Sequence, residues 1–151
     1  MNTQDVKKYL QKLEQELLAN KNWQNIELSL EWTKPFSDNA GVYLIRENGK
    51  ICYVGETGSI KARIKDLRNT QNHVIRRSIG NTKYKNHIGF EKATSTKKFV
   101  HAIETKLDKW IQSKLEISVL EVSLGRKEFE EYFIDKYEPI YNNRRKRGSR
   151  K

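Results

Sequence analysis

The sequence predicts a single small α/β domain of the α+β type, and three observations carry that expectation. Residues 41–46 and 51–55 are apolar, strand-like runs that flank Asn48-Gly49, a strong hairpin signal. Several other segments repeat apolar residues at helical spacing. The length of 151 residues suits one domain, which buries roughly 68–70% of its extended surface.

From Thr3 to about Asn20, the residues Val6, Leu10, Leu13 and Leu17 form one apolar stripe, with Thr3 as the expected N-cap. Residues 26–32 (Ile26-Glu27-Leu28-Ser29-Leu30-Glu31-Trp32) alternate, which predicts a half-buried strand. A loop from Lys34 to Asn39 leads into the hairpin. Ser59 is the expected cap of a helix to about Leu67, and Asn72 of another through Ile79. Residues 80–95 are lysine-rich and glycine-containing, which predicts a mobile loop. Thr96 is the expected cap of a longer helix carrying Val100, Ile103 and Leu107. A strand over Glu116–Ser123 and a helix over Lys127–Tyr137 complete the order, with Pro139 ending the helical path. Hairpin register decides whether Tyr43 and Tyr53 share a face. A plain two-residue loop separates them, whereas a three-residue loop with Gly49 left-handed, or an equivalent bulge, brings them together. A shared site requires the second arrangement.

The formal net charge is +11. The segment Arg144-Arg145-Lys146-Arg147-Gly148-Ser149-Arg150-Lys151 supplies six of the cations. Clustered cations release counterions from nucleic acid, so a polyanionic partner is expected. No run is long and apolar enough to suggest a membrane span, and the N-terminus lacks a signal peptide's apolar stretch. The cytoplasm is therefore the expected location. Cys52 is the only cysteine, which excludes an internal disulfide and a cysteine metal cage. Its apolar strand predicts a buried thiol. His87 and His101 have no zinc-pair spacing.

The residues that carry chemistry are few and separated. Gly41-Val42-Tyr43 and Tyr53-Val54-Gly55 stand at the edges of the hairpin, Arg63 follows eight residues after Gly55, and Glu130 precedes Pro139 and Asn142. Phosphodiester hydrolysis needs an activated water, a cation near the phosphate and relief of charge on the leaving oxygen. A lone carboxylate such as Glu130 suits magnesium, which keeps most of its waters. Arg63 can fork onto phosphate oxygens, and the two phenols can orient water or phosphate. His73, among Arg76 and Arg77, is a candidate general base. Lys61, Arg76, Arg77, Arg144, Arg145, Lys146 and Arg147 are candidate contacts to a nucleic-acid backbone.

In order and spacing these residues resemble the GIY-YIG nuclease family, over approximately residues 40–143. The resemblance implies a three-stranded antiparallel sheet flanked by helices, with residues 1–39 adding an N-terminal helix and strand and residues 144–151 a basic tail. It also implies a DNA endonuclease in which Glu130 binds Mg2+ or Mn2+. Arg63, Tyr43, Tyr53 and Asn142 then complete the site, and the first tyrosine or a nearby base assists deprotonation of the water. A homodimer is an expected way for so small a nuclease to cut both strands. Three departures stand out. Nine residues separate the tyrosines, slightly fewer than usual. Leu67 holds the position where some relatives have histidine. Glu56 follows Gly55, where a carboxylate would repel DNA unless turned away. Glu56 and the missing histidine favour a rival reading, a non-catalytic nucleic-acid-binding module on the same fold. A basic structural protein, the third reading, leaves the triplets unexplained.

Overall fold

The computed structural model describes residues 2–21 and 23–142. Helix α1 (Thr3–Leu18) is capped one residue earlier than expected, at Asn2, whose side chain accepts the Asp5 N–H. The strand expected over residues 26–32 is not there. Strand β1 is only Gln24–Asn25, and α2 (Leu30–Thr33) is a short helix capped by Ser29, whose side chain accepts the Trp32 N–H. The Leu28 N–H donates to the Gln112 side chain, so the alternating stretch makes no further ladder.

Strands β2 (Gly41–Glu47) and β3 (Lys50–Thr57) form the hairpin. Helices α3 (Ile60–Asp66) and α4 (Val74–Lys83) follow, capped by Ser59 and by His73 rather than Asn72. Helix α5 (His101–Lys114) starts after Val100 with no side-chain cap, not at Thr96. Thr94 instead pairs with Lys97 in a tight turn. Strand β4 (Leu115–Glu121) and helix α6 (Arg126–Tyr137) complete the chain's regular structure. The sheet is fully antiparallel in the order β1-β4-β2-β3, four strands counting the short N-terminal one.

The hairpin resolves the register question through a bulge. Its loop is the two-residue Asn48-Gly49, both left-handed, as a type I′ turn requires. Arg46 pairs with Ile51 but Ile45 pairs with Tyr53, leaving Cys52 as the extra residue. That bulge returns Tyr53 to the face of Tyr43. Tyr43 then stands opposite Gly55 and Tyr53 opposite Ile45, so the two phenols are diagonal rather than directly opposed. Cys52 is buried, as expected, and burial pushes its thiol up to about 12.

Each sheet face has its own core. Tyr43, Ile45, Tyr53 and Ile117 lie beneath residues of α3, α4 and α5, including Ile64, Ile75 and Leu107. Val42, Leu44 and Val54 pack against Leu13 and Leu17 of α1 and Phe129 and Phe133 of α6. The segment expected to be a mobile loop is tied to the first core. The Asn81 amide bonds both the N–H and the C=O of Ala93, and Phe90 and Phe99 pack inward. Among the described residues no helix is long and apolar enough to cross a membrane.

Candidate active site

Glycine makes room for the central cluster. A Cβ at Gly55 would lie 2.5 Å from the Tyr43 hydroxyl oxygen, so only glycine lets that ring lie across β3. The Tyr43 and Tyr53 ring centroids are 6.0 Å apart, and Tyr53 and His73 5.2 Å. Arg63, one turn into α3, lies beside both phenols, and its Nη1 donates to Asp66 Oδ2 at 3.0 Å and to the Asn72 carbonyl at 2.8 Å. Ser59, accepting the Ala62 N–H, starts α3 where it can present that arginine.

His73 is fully buried and its two nitrogens have different tasks. Nδ1 accepts the Ile75 N–H at 3.1 Å as the cap of α4. A ring nitrogen that accepts carries no proton, so the neutral ring holds its proton on Nε2 and donates it to Tyr43 Oη, 2.8 Å away. Burial, reinforced by Arg63, Arg77 and Arg76, holds the imidazole well below its ordinary pKa. With one lone pair engaged and the other nitrogen protonated, His73 is not arranged to take a proton. The expectation of a general base there is corrected: both ring nitrogens are engaged, Nδ1 with the Ile75 N–H and Nε2 with Tyr43 Oη.

Burial also raises both phenols. Tyr53 pushes Tyr43 higher still while Arg63 opposes, and for Tyr53 the opposing pulls come from Arg63 and Glu130. Both are therefore protonated at neutral pH and able to donate hydrogen bonds. For Arg63 burial disfavours the charge, but the two phenols and Asp66 outweigh it and its pKa rises.

Glu130 is partly buried on α6, next to the core residue Phe129, and its carboxylate acts electrostatically on Tyr53. No group of three or more metal-ligating side chains gathers among the described residues. Asn142 stays off the phenols. Its amide accepts the Val54 N–H at 2.9 Å and donates to the Val54 C=O at 2.8 Å, while the Tyr141 N–H donates to the Cys52 carbonyl at 3.0 Å. Together they satisfy the free edge of β3 at Cys52 and Val54. Glu56 points to the opposite face, where Arg126 Nε donates to it at 3.2 Å. The feared repulsion is thus turned away from the tyrosines.

The cationic candidates divide. Lys61 is partly exposed, 3.7 Å from Asp38, and Arg77 is partly exposed with Nη1 donating to the Thr70 and Gln71 carbonyls. Arg76 is 1% exposed and cannot reach a phosphate. It donates to Thr70 Oγ1 and the Leu67 carbonyl and pairs at 2.7 Å with Glu104 and Asp108, locking α4 to α5. That corrects its expected role. Arg144, Arg145, Lys146 and Arg147 lie outside the described residues. The sequence reading missed the Gly55–Tyr43 contact and the buried Glu14, although an acid between Leu10 and Leu17 on an apolar stripe was a usable signal.

No curated protein sequence matches the chain. Similar solved structures include the GIY-YIG N-terminal endonuclease domain of UvrC from Thermotoga maritima. A point mutant bound to its catalytic divalent cation is 18% identical, over 74% of this chain and 91% of that one, with a TM-score of 0.43. The same domain bound to magnesium is 17% identical, over 87% and 96%, with a TM-score of 0.36. The model of the GIY-YIG catalytic domain matches residues 31–151, most of the chain, and the protein accordingly belongs to the GIY-YIG family of nuclease domains.

Proposed function

We propose that the protein is a DNA endonuclease that hydrolyses phosphodiester bonds with Mg2+ or Mn2+. The observation that carries this reading is the convergence of Tyr43, Tyr53, Arg63 and His73 on one face, with the Glu130 carboxylate acting on Tyr53. A lone carboxylate fits a cation that keeps several waters, whereas zinc or calcium would call for a fuller protein cage. Glu130 would hold that cation, which when bound acidifies water and offsets phosphate charge.

The remaining roles belong to this chain's own side chains. Arg63 grips the phosphate and stays cationic throughout the working pH range. His73 donates to Tyr43 Oη, so the Tyr43 hydroxyl proton is directed to an acceptor other than the imidazole, such as a water or a phosphate oxygen. Tyr53, also protonated, donates beside it. Asn142 holds the edge of β3 at Val54, between the Tyr53 and Gly55 positions. Lys61 and Arg77 hold the flanking backbone together with Arg144, Arg145, Lys146 and Arg147. The pairing of Glu56 with Arg126 on the far face removes one of the two features that favour a binding-only module. The comparisons lend no support to a homodimer.

The test is cleavage of supercoiled plasmid with magnesium or manganese, alongside EDTA and Glu130→Ala controls. Nicked or linear product that disappears in both controls is the expected outcome. Wild type and mutant that bind DNA equally yet leave every substrate intact would overturn the reading in favour of a binding module.

A further inference from the structure

We propose that residues 83–98 form a rigid DNA-gripping arm, with lysines on the phosphates and Ile88 entering a groove of the duplex. This rests on the endonuclease reading and adds to it a contact surface remote from the phosphodiester being cut. The arm carries Lys83, Lys85, Lys92, Lys97 and Lys98 against a single acid, Glu91, which is itself paired with Lys97. Such a local excess of cations is complementary to a polyanion. At its tip Ile88 is 93% exposed, the most exposed large apolar side chain among the described residues. It sits before Gly89, whose φ of +81° makes the sharp turn. An apolar residue held out in a basic loop has the character of the side chains that press between base steps.

The arm is built to hold its shape. Two consecutive turns, His87 N–H to the Tyr84 carbonyl and Phe90 N–H to the His87 carbonyl, fold the tip. Phe90 and Phe99 pack with their rings tilted and centroids 6.1 Å apart, and Phe99 lies so close over Gly80 that a side chain there would collide with it. Asn81 brackets Ala93 from both sides. Its placement also follows from the fold. Helix α4 follows its cap His73, which lies against the tyrosines, and its ten residues lead about 15 Å away to Lys83. Arg77, between the two in sequence, donates to the Thr70 and Gln71 carbonyls, and the Lys83 ammonium lies 4.4 Å over the Trp110 ring at the base of the arm. A pre-ordered surface loses little conformational entropy when DNA docks.

The experiment measures binding to a 30-base-pair duplex by fluorescence anisotropy across a salt series, in EDTA so that the strand stays intact. Three variants are compared: K83Q/K85Q/K92Q on the arm, K7Q/K8Q/K12Q on α1, and I88N. The α1 lysines are exposed on the opposite sheet face, so their loss matches the charge change without touching the arm. The arm triple is expected to lower the slope of log affinity against log salt by about 2.7, the α1 triple to leave it nearly unchanged, and I88N to weaken binding several-fold at constant slope. Equal slopes for the two triples would overturn the arm and leave only net charge. I88N binding like wild type would overturn the groove contact. Wild type that cuts plasmid while the arm triple binds unaltered sinks this inference alone, whereas wild type that neither binds nor cuts sinks the endonuclease reading as well.

Discussion

His73 shows how a single buried side chain sets conditions on both chemistry and stability. Its folded pKa is depressed by burial and by three neighbouring guanidinium groups, so the native state prefers the neutral ring. As pH falls through about 6.5, the unfolded chain takes up a proton that the folded protein resists. Unfolding is then favoured, and stability declines by as much as about 1.4 kcal/mol per pH unit until the folded pKa is reached. His73→Gln keeps a donor for Tyr43 but cannot titrate. Urea denaturation between pH 7.5 and 5.5 is expected to show a steeper loss for wild type than for His73→Gln, and parallel losses would refute the buried neutral ring. At this scale much of the site was legible, because Tyr43, Tyr53, Arg63 and Glu130 announce themselves by order along the chain. What the sequence could not carry is the partner of each residue. Arg76 looks like its neighbour Arg77 until Glu104 and Asp108, on a separate helix, are brought against it. The His73 lone pair likewise looks available until the Ile75 N–H occupies it.

Between elements, the junction of α1 with α6 depends on one carboxylate. Glu14 is 5% exposed and accepts from Tyr132 Oη at 2.5 Å, from Tyr137 Oη and from Lys136 Nζ at 2.9 Å. Helix α6 carries Glu130, so this cluster helps to fix where the candidate metal ligand stands. Glu14→Ala removes a charged acceptor from three donors and is expected to cost about 2–3 kcal/mol, the range for hydrogen bonds to charged groups. The readout is the urea midpoint at unchanged slope, and a loss below about 0.5 kcal/mol would mean that the three donors find equivalent partners in water. The elements differ in how far they could be read ahead. Helices α1, α3 and α6 follow their periodicity to within a few residues. The stretch from Ile26 to Trp32 misleads because its alternation fits a strand, while Ser29 and the side chain of Gln112 capture its N–H groups. The bulge at Cys52 was open as one of two solutions to the same-face requirement, and only cross-strand pairing chooses it.

At the scale of the whole molecule, six of the thirty lysines and arginines fall within residues 144–151, which follow Asn142 in sequence and lie outside the described residues. If they hold phosphates, their contribution is electrostatic and independent of sequence, because each contact releases a condensed counterion. Deleting residues 144–151 is then expected to reduce the slope of log affinity against log salt by up to about 5 and to weaken binding most at low salt. The rate of strand cutting at saturating DNA should stay near the wild-type value, since Arg63, Tyr43, Tyr53 and Glu130 are untouched. Plasmid cleavage at stepped enzyme concentrations separates the two quantities. An unchanged salt slope would remove the tail from the DNA-binding surface. A saturating rate that collapses on deletion would instead place the tail in the act of cutting, because loss of uniform binding raises the concentration needed for half-saturation without slowing the bound complex.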